Sequence, residues 1–406
     1  MYRIFCLLLV ILILSCQTED TLRDKANTTG QLNDTQSVGA SLGDSPDVFP
    51  EGMDWLREAQ SAWFEKKDPD LTDYCLDRVN SSALNNEGDR ALYQLLCRKV
   101  YTRMLPLKEL GFADANISSL FLDRDDLWIG TWAGGIVRYS LPLEELATLR
   151  PSRDSIRVEK ISDFERVGTE IRLAGYSDLY SYDRTNSRLD RQFPKDMERI
   201  NNLAWFKGTL FASTVDKGLW YEGESGEWYP IGEHVPGLSR INALYIDSRG
   251  YLLIGTASAG IIRYDGNSFT SFREIYPRFK GRNITAFTES GDLLIVGSYG
   301  EGGFIINRQS GESWQFSKEK GDFLSDYLLC ATVSEKWFYV GTLGGGVYAL
   351  PVDSEGSSAE WIALGMDEGL YSLDTSAIIP YENSIYVSLL GHGVLILDEE
   401  IIEKAL

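Results

Sequence analysis

The 406 residues hold only two histidines, five methionines and five cysteines, so the side chains that most often bind metals or move protons near pH 7 are scarce. Neither His234 nor His392 has a second His, a Cys or a carboxylate at ligand spacing. The Cys and Met spacings match no zinc or haem pattern either. Positive charge is also short: 39 Lys and Arg stand against 60 Asp and Glu, for a net charge of −21. That balance argues against a nucleic-acid partner, because phosphate binding needs clustered Lys and Arg. No Gly-Lys-Ser/Thr accompanies the glycine-rich GTLGGG (341–346) or GSYGEGG (297–303), and no helix is expected after them. They read as hairpin turns and not as phosphate loops. Beyond residue 14, no apolar run approaches the roughly 20 residues that a membrane-spanning helix needs.

What is abundant points to a folded, strand-rich chain. Hydrophobic residues make up 43% and aromatics 12%, and 38 glycines suggest many short strands joined by tight turns. The first residues are a targeting segment: Arg3 precedes the apolar run IFCLLLVILIL (4–14), which suits a secretory signal. Ile13-Leu14-Ser15-Cys16 resembles a bacterial lipobox. That resemblance implies a lipoprotein signal peptide over 1–15 and a lipidated Cys16, anchored in a leaflet facing the periplasm or at the cell surface. Gln17 stands where an Asp would signal inner-membrane retention in some bacteria. Residues 16–50 are polar, with Phe49 the only aromatic, and are expected to form a disordered tether.

Residues 51–102 change character. MDWLREAQSAWFEKK, DLTDYCLDRV and DRALYQLLCRKVYTRM place apolar residues at three- and four-residue intervals, which predicts a small α-helical segment. An exported chain can oxidise its thiols. A Cys75–Cys97 disulfide clamping two of these helices is therefore one alternative, and unbonded thiols the other. Cys330, in the apolar stretch LLCATV, reads as a buried small hydrophobe.

The remainder repeats. LWIGTWAGGIVRY (127–139) recurs as LLIGTASAGIIRYD (252–265), LLIVGSYGEGGFIIN (293–307), FYVGTLGGGVYAL (338–350) and IYVSLLGHGVLILD (385–398). Weaker copies are IRLAGYSDLYSYD (171–183) and LFASTVDKGLWYE (210–222). The small residue after the apolar triplet falls at Gly130, Ala174, Ser213, Gly255, Gly297, Gly341 and Ser388, spaced by 44, 39, 42, 42, 44 and 47. A period in the low forties with about four strand signals per unit predicts an all-β fold over 103–406, a closed seven-bladed β-propeller. The small residue is expected to let neighbouring blades approach. The last copy lacks an outer strand, while residues 103–107 look like an outer strand with no blade before them. These residues are therefore expected to complete blade seven and remove the open sheet edges.

Leu127 to Tyr139 and Leu252 to Asp265 resemble the two-component regulator propeller repeat, with its Leu-Trp-Ile-Gly-Thr strand and Gly-Gly-Leu-x-Arg-Tyr-Asp strand. In that family the propellers commonly form the periplasmic sensor part of membrane-bound histidine kinases. No transmembrane, kinase or DNA-binding segment follows the repeats here, so the resemblance implies a recognition module, without the signalling part.

The turns between second and third strands carry Trp132, Tyr176, Asp216, Tyr299, Glu301 and His392. Varied side chains at loop tips on a rigid scaffold suit a recognition rim; the plainer alternative is that they cap contacts between blades. The expectation is a lipid-anchored envelope protein that binds a protein or small-molecule ligand, is not an enzyme and uses no cofactor. Two alternatives stand beside it. Seven-bladed antibiotic-inactivating lyases carry similar repeats and use His, carboxylates and a divalent cation, for which His234 and His392 are the candidates. The other alternative is a structural subunit of an envelope assembly, docking through the helical segment.

Overall fold

The computed structural model describes residues 54–405 apart from 81–83, 85, 106, 108–115, 134, 150–159, 193, 195 and 357–359. The expected signal and tether, Cys16 included, lie outside the described residues.

Three helices come first. Helix α1 (Trp55–Ser61) begins where the Asp54 carboxylate accepts Arg57 N–H, and it runs into a π turn over Ala62–Lys66. Helix α2 (Pro69–Leu76) has Asp68 as its cap and Pro69 at its first turn, where a missing N–H costs nothing. Helix α3 (Glu87–Tyr101) is capped by Asn86 and carries Arg98 and Lys99 in its last turn, complementing the helix dipole. Their apolar faces bury Leu56, Ala59, Cys75, Leu76, Leu96, Cys97 and Tyr101. The same cluster contains Trp337 and Tyr339 of blade 6, Val387 and Leu395 of blade 7, and Ile401 and Ile402 of a C-terminal helix (Glu400–Ala405). The helical segment is thus held against blades 6 and 7 by a shared core.

Cys75 and Cys97 are both buried there as thiols, and the bridge considered from sequence is not formed. Each sulfur instead packs as a small apolar group among Leu56, Leu76 and Leu96. Burial pushes the Cys75 thiol above its ordinary range.

Seven four-stranded antiparallel sheets follow. Their inner strands are Ile117–Asp123, Ile161–Val167, Ile200–Phe206, Ile241–Ile246, Ile284–Ser290, Leu328–Val333 and Thr375–Tyr381, blades 1 to 7 in order. Each inner strand contacts the next, and that of blade 7 contacts that of blade 1, closing the ring. Closure is made by strand β1 (Thr102–Met104), which pairs with Gly393–Asp398 as the outer strand of blade 7. Leu105 N–H extends the pairing to the Val394 carbonyl at 2.9 Å.

The second strands are buried on both faces, as a sheet sandwiched between neighbours requires. The small residues sit where blades meet. A Cβ on Gly130 would stand 2.9 Å from Ile161 of blade 2, and one on Gly341 2.7 Å from Thr375 of blade 7.

Every inner strand also bulges at its second residue. In most blades that residue reaches the next blade: Ser118 Oγ donates to the Ile161 carbonyl, Ser162 to Ile200 at 2.7 Å, Thr285 to Leu328 at 2.6 Å and Ser376 to Ile117 at 3.1 Å. Asn201 Nδ2 does the same toward the Asn242 carbonyl at 3.0 Å. These donors satisfy carbonyls on a strand edge that faces the channel and has no further strand to pair with. Blade 6 has Leu329 at this position, where the run of polar contacts is interrupted.

Candidate functional site

One face of the ring carries both the second-to-third-strand turns and the connections leading into each inner strand. Backbone bonds tie the two together: Trp132 N–H to Asn116 O, Val215 to Arg199, Ala257 to Arg240, Tyr299 to Asn283, Leu343 to Tyr327 and Leu390 to Asp374, all 2.9–3.0 Å. A buried hydroxyl braces five of the turns from below. Thr131, Thr214, Thr256, Ser298 and Thr342 each donate to the carbonyl four residues on, at 2.9–3.1 Å. Rim side chains therefore stand on a fixed backbone.

All six residues expected at the rim lie on this face, in different settings. Trp132 and Tyr176 project, 44% and 43% exposed. Asp216 is exposed and paired with Arg199 at 2.9 Å. Tyr299 is half-buried against Tyr327, ring centroids 4.7 Å apart. Glu301 is spent on structure, accepting Arg282 N–H at 2.7 Å. His392 is exposed beside Tyr371, centroids 6.4 Å apart. His234 lies on the blade 3–4 connection between two clefts of about 430 and 760 Å³, the larger walled by Ile231, Val235, Ile262 and Phe269. The two histidines thus sit on elements of blades 4 and 7, three blades apart. Among the described residues no group of three or more His, Cys, Asp or Glu is placed to hold a metal ion.

The structure adds residues that the turn pattern did not indicate. Immediately before the inner strands stand Asn116, Lys160, Arg199, Arg240, Asn283, Tyr327 and Asp374, which ring the channel mouth. Lys160 Nζ lies over the Trp132 ring, 4.2 Å from its centroid, and burial holds its pKa below the usual lysine range. Leu324, Tyr327, Met366 and Tyr371 are exposed on the connections into blades 6 and 7. Their sequence signal is positional: all lie on the connections that lead into an inner strand, Tyr327 immediately before one.

Deeper, Asp163 and Glu165 lie two apart on the blade 2 inner strand. Asp163 Oδ2 accepts Leu203 N–H of blade 3 at 2.8 Å, and Oδ1 accepts Phe164 N–H at 2.9 Å. Glu165 accepts Arg166 N–H at 3.0 Å and bonds the Trp205 backbone. Burial raises both carboxyls to about 7.

A closed ring of seven four-stranded blades with loops gathered at the channel mouth defines the class: a seven-bladed β-propeller. Residues 111–133 match the two component regulator propeller family, so the chain carries that family's repeat in blade 1. No curated protein sequence matches the chain significantly. Among solved structures it is similar to the extracellular domain of a B. thetaiotaomicron protein described as a hybrid two component system, at 15% identity and TM-score 0.56. That match covers 73% of this chain and 41% of the other. A second B. thetaiotaomicron extracellular domain, described as part of a one component system, matches at 15% identity and TM-score 0.57, over 71% of this chain and 39% of that one. The chain thus spans about two fifths of these larger proteins. Virginiamycin B lyase from Staphylococcus aureus is similar at 11% identity and TM-score 0.54, over 70% of this chain and 95% of the lyase. At these identities the likeness is one of fold.

Proposed function

We propose that this protein is a non-catalytic recognition module of the bacterial cell envelope, exported and lipid-anchored through Cys16, which binds a small-molecule or protein ligand at the channel-mouth face. The observation that carries the reading is Trp132 and Tyr176, two exposed aromatics on hydrogen-bonded turns of adjacent blades, flanked by Lys160 and Arg199. Large amphipathic side chains held on a rigid backbone bind with little loss of side-chain freedom. The repeat family and the extracellular location of two structural relatives support an exported binding role.

The test is a thermal-shift screen of small molecules and envelope fractions against the full chain, repeated with Trp132→Ala/Tyr176→Ala. A ligand whose stabilisation disappears in the double variant supports the reading. Ligands whose effect is unchanged in it contradict the placement. The anchor is tested separately: Cys16→Ala abolishes labelling by a radioactive fatty acid, and persistent labelling would refute it.

The lyase alternative draws its support from the shared propeller fold and from His234 beside a 760 Å³ cleft. It requires a His–carboxylate–cation group, and the described residues gather none.

A further inference from the structure

The geometry points to a ring-bearing anion, a carboxylate or similar oxyanion carried on a flat ring, as the ligand class of the channel mouth over blades 1 to 4. This rests on the reading that the rim is a binding face. Going round the mouth, Trp132, Lys160, Tyr176 and Arg199 alternate aromatic and cationic side chains, and Asp216 in the blade 3 turn separates them from Arg240. Three cations at three consecutive inner-strand entrances oppose the trend of a chain whose net charge is −21.

Their neighbourhood is fixed by the bulge contacts. Ile161, Ile200 and Ile241, each next in sequence to one of these cations, all accept from a side chain of the preceding blade. The three entrances therefore stand side by side.

Three of the nearby carboxylates are engaged elsewhere, while Glu198 and Glu233 stand exposed on the connections into blades 3 and 4. Asp178, in the same turn as Tyr176, is held by Arg191 at 2.9 Å. Asp163, two residues inside the blade 2 entrance, is capped by backbone N–H groups. Asp216 takes Arg199. Among the described residues no carboxylate pairs with Lys160 or Arg240, and the ammonium of Lys160 rests on the Trp132 face. A cation partly withdrawn from water, with an aromatic plate beside it, gains from an incoming anion whose ring stacks beside that plate. Asp374, the acid among the seven entrance residues, belongs to blade 7 and stays clear of this arc.

Benzene-1,3,5-tricarboxylate and its uncharged triamide are suitable probes, titrated calorimetrically into the full chain at low and moderate salt. The tricarboxylate should bind and the triamide should not, with binding weakening as salt rises. Lys160→Met and Arg240→Gln should each weaken it about tenfold. Lys320→Gln, in a separate cleft at blades 5 and 6, should leave it unchanged. Near-UV circular dichroism verifies that each variant is folded. No binding by the unmodified protein, equal binding of the triamide, or undiminished binding by Lys160→Met/Arg240→Gln would overturn the proposal. A screened ligand that is lost with Trp132→Ala/Tyr176→Ala yet indifferent to Lys160→Met would leave the recognition role standing and remove only the anion specificity.

Discussion

Gly130→Ala adds a single methyl group at the contact between blades 1 and 2, and its effect can be worked from the surroundings. The new Cβ would stand 2.4 Å from Ser119 Oγ and 2.9 Å from both Cβ and Cγ2 of Ile161. Ser119 Oγ is not free to swing away without loss, because it donates to the Ile161 carbonyl at 2.9 Å. Overpacking a tight core costs about 1–3 kcal/mol, and the broken bond adds about 1 kcal/mol. The restricted unfolded chain returns about 0.4–1 kcal/mol. The expected net loss is about 2 kcal/mol, seen as a lower urea midpoint with an unchanged slope.

Gly297→Ala is the comparison. Its Cβ would meet Leu328 Cβ at 3.1 Å and Ala286 Cβ at 3.2 Å, distances that small shifts can relieve, so it should cost under about 1 kcal/mol. Adding Ser119→Ala to Gly130→Ala should recover part of the loss, since the closest clashing atom is gone. A Gly130→Ala protein as stable as the parent, or no recovery in the double variant, would refute the argument that this glycine sets blade spacing.

Three other perturbations probe the scaffold. Asp163 and Glu165 have carboxyls raised to about 7 in the fold, against about 4 unfolded, so their stabilising contribution is full below pH 4 and falls away as pH rises toward 7. Asp163→Asn/Glu165→Gln should therefore flatten the decline of Tm between about pH 4 and 7; an unchanged slope contradicts the assignment. Leu105→Pro removes the N–H given to the Val394 carbonyl and should speed amide exchange along Gly393–Asp398 while blade 4 stays protected. Uniform exchange in both blades would show that this bond has no local role. Leu329→Thr supplies the missing hydroxyl in the polar run between inner strands and should raise stability by about 0.5–1.5 kcal/mol if it reaches the Thr375 carbonyl. A loss of stability would mean that the Leu329 packing outweighs that bond.

The blades were readable because each repeats the same physical problem, a sheet buried on both sides with a small residue where the next blade presses in. Gly130, Gly255, Gly297 and Gly341 all face the first inner-strand residue of the following blade, as their spacing suggested. The closure was readable from an imbalance, a strand too many before blade 1 and one too few after Leu389. The site was less legible. Trp132 and Tyr176 stood out as bulky residues in turns, but Lys160, Arg199 and Arg240 precede inner strands at positions occupied by Asn116, Asn283, Tyr327 and Asp374 in other blades. No single residue type is shared by all seven positions, so periodicity carries little signal, and only the ring geometry brings them together. Glu301 and Cys97 show the converse. Turn position marked Glu301 as a rim residue, and export left a Cys75–Cys97 bridge open beside free thiols; the fold uses Glu301 to hold Arg282 N–H and Cys97 to fill a helical core.

The central claim, that the channel-mouth face binds the ligand, is tested most directly by site-specific photocrosslinking in intact envelopes. A photoreactive phenylalanine replaces Trp132 on that face, Leu324 on the same face above blades 5 and 6, or Leu143 on a third-to-fourth-strand turn, 67% exposed on the far side of the ring. The account predicts adducts from position 132, fewer from 324 and none from 143, with free ligand suppressing the first. Adducts formed as readily from 143 as from 132 would contradict it.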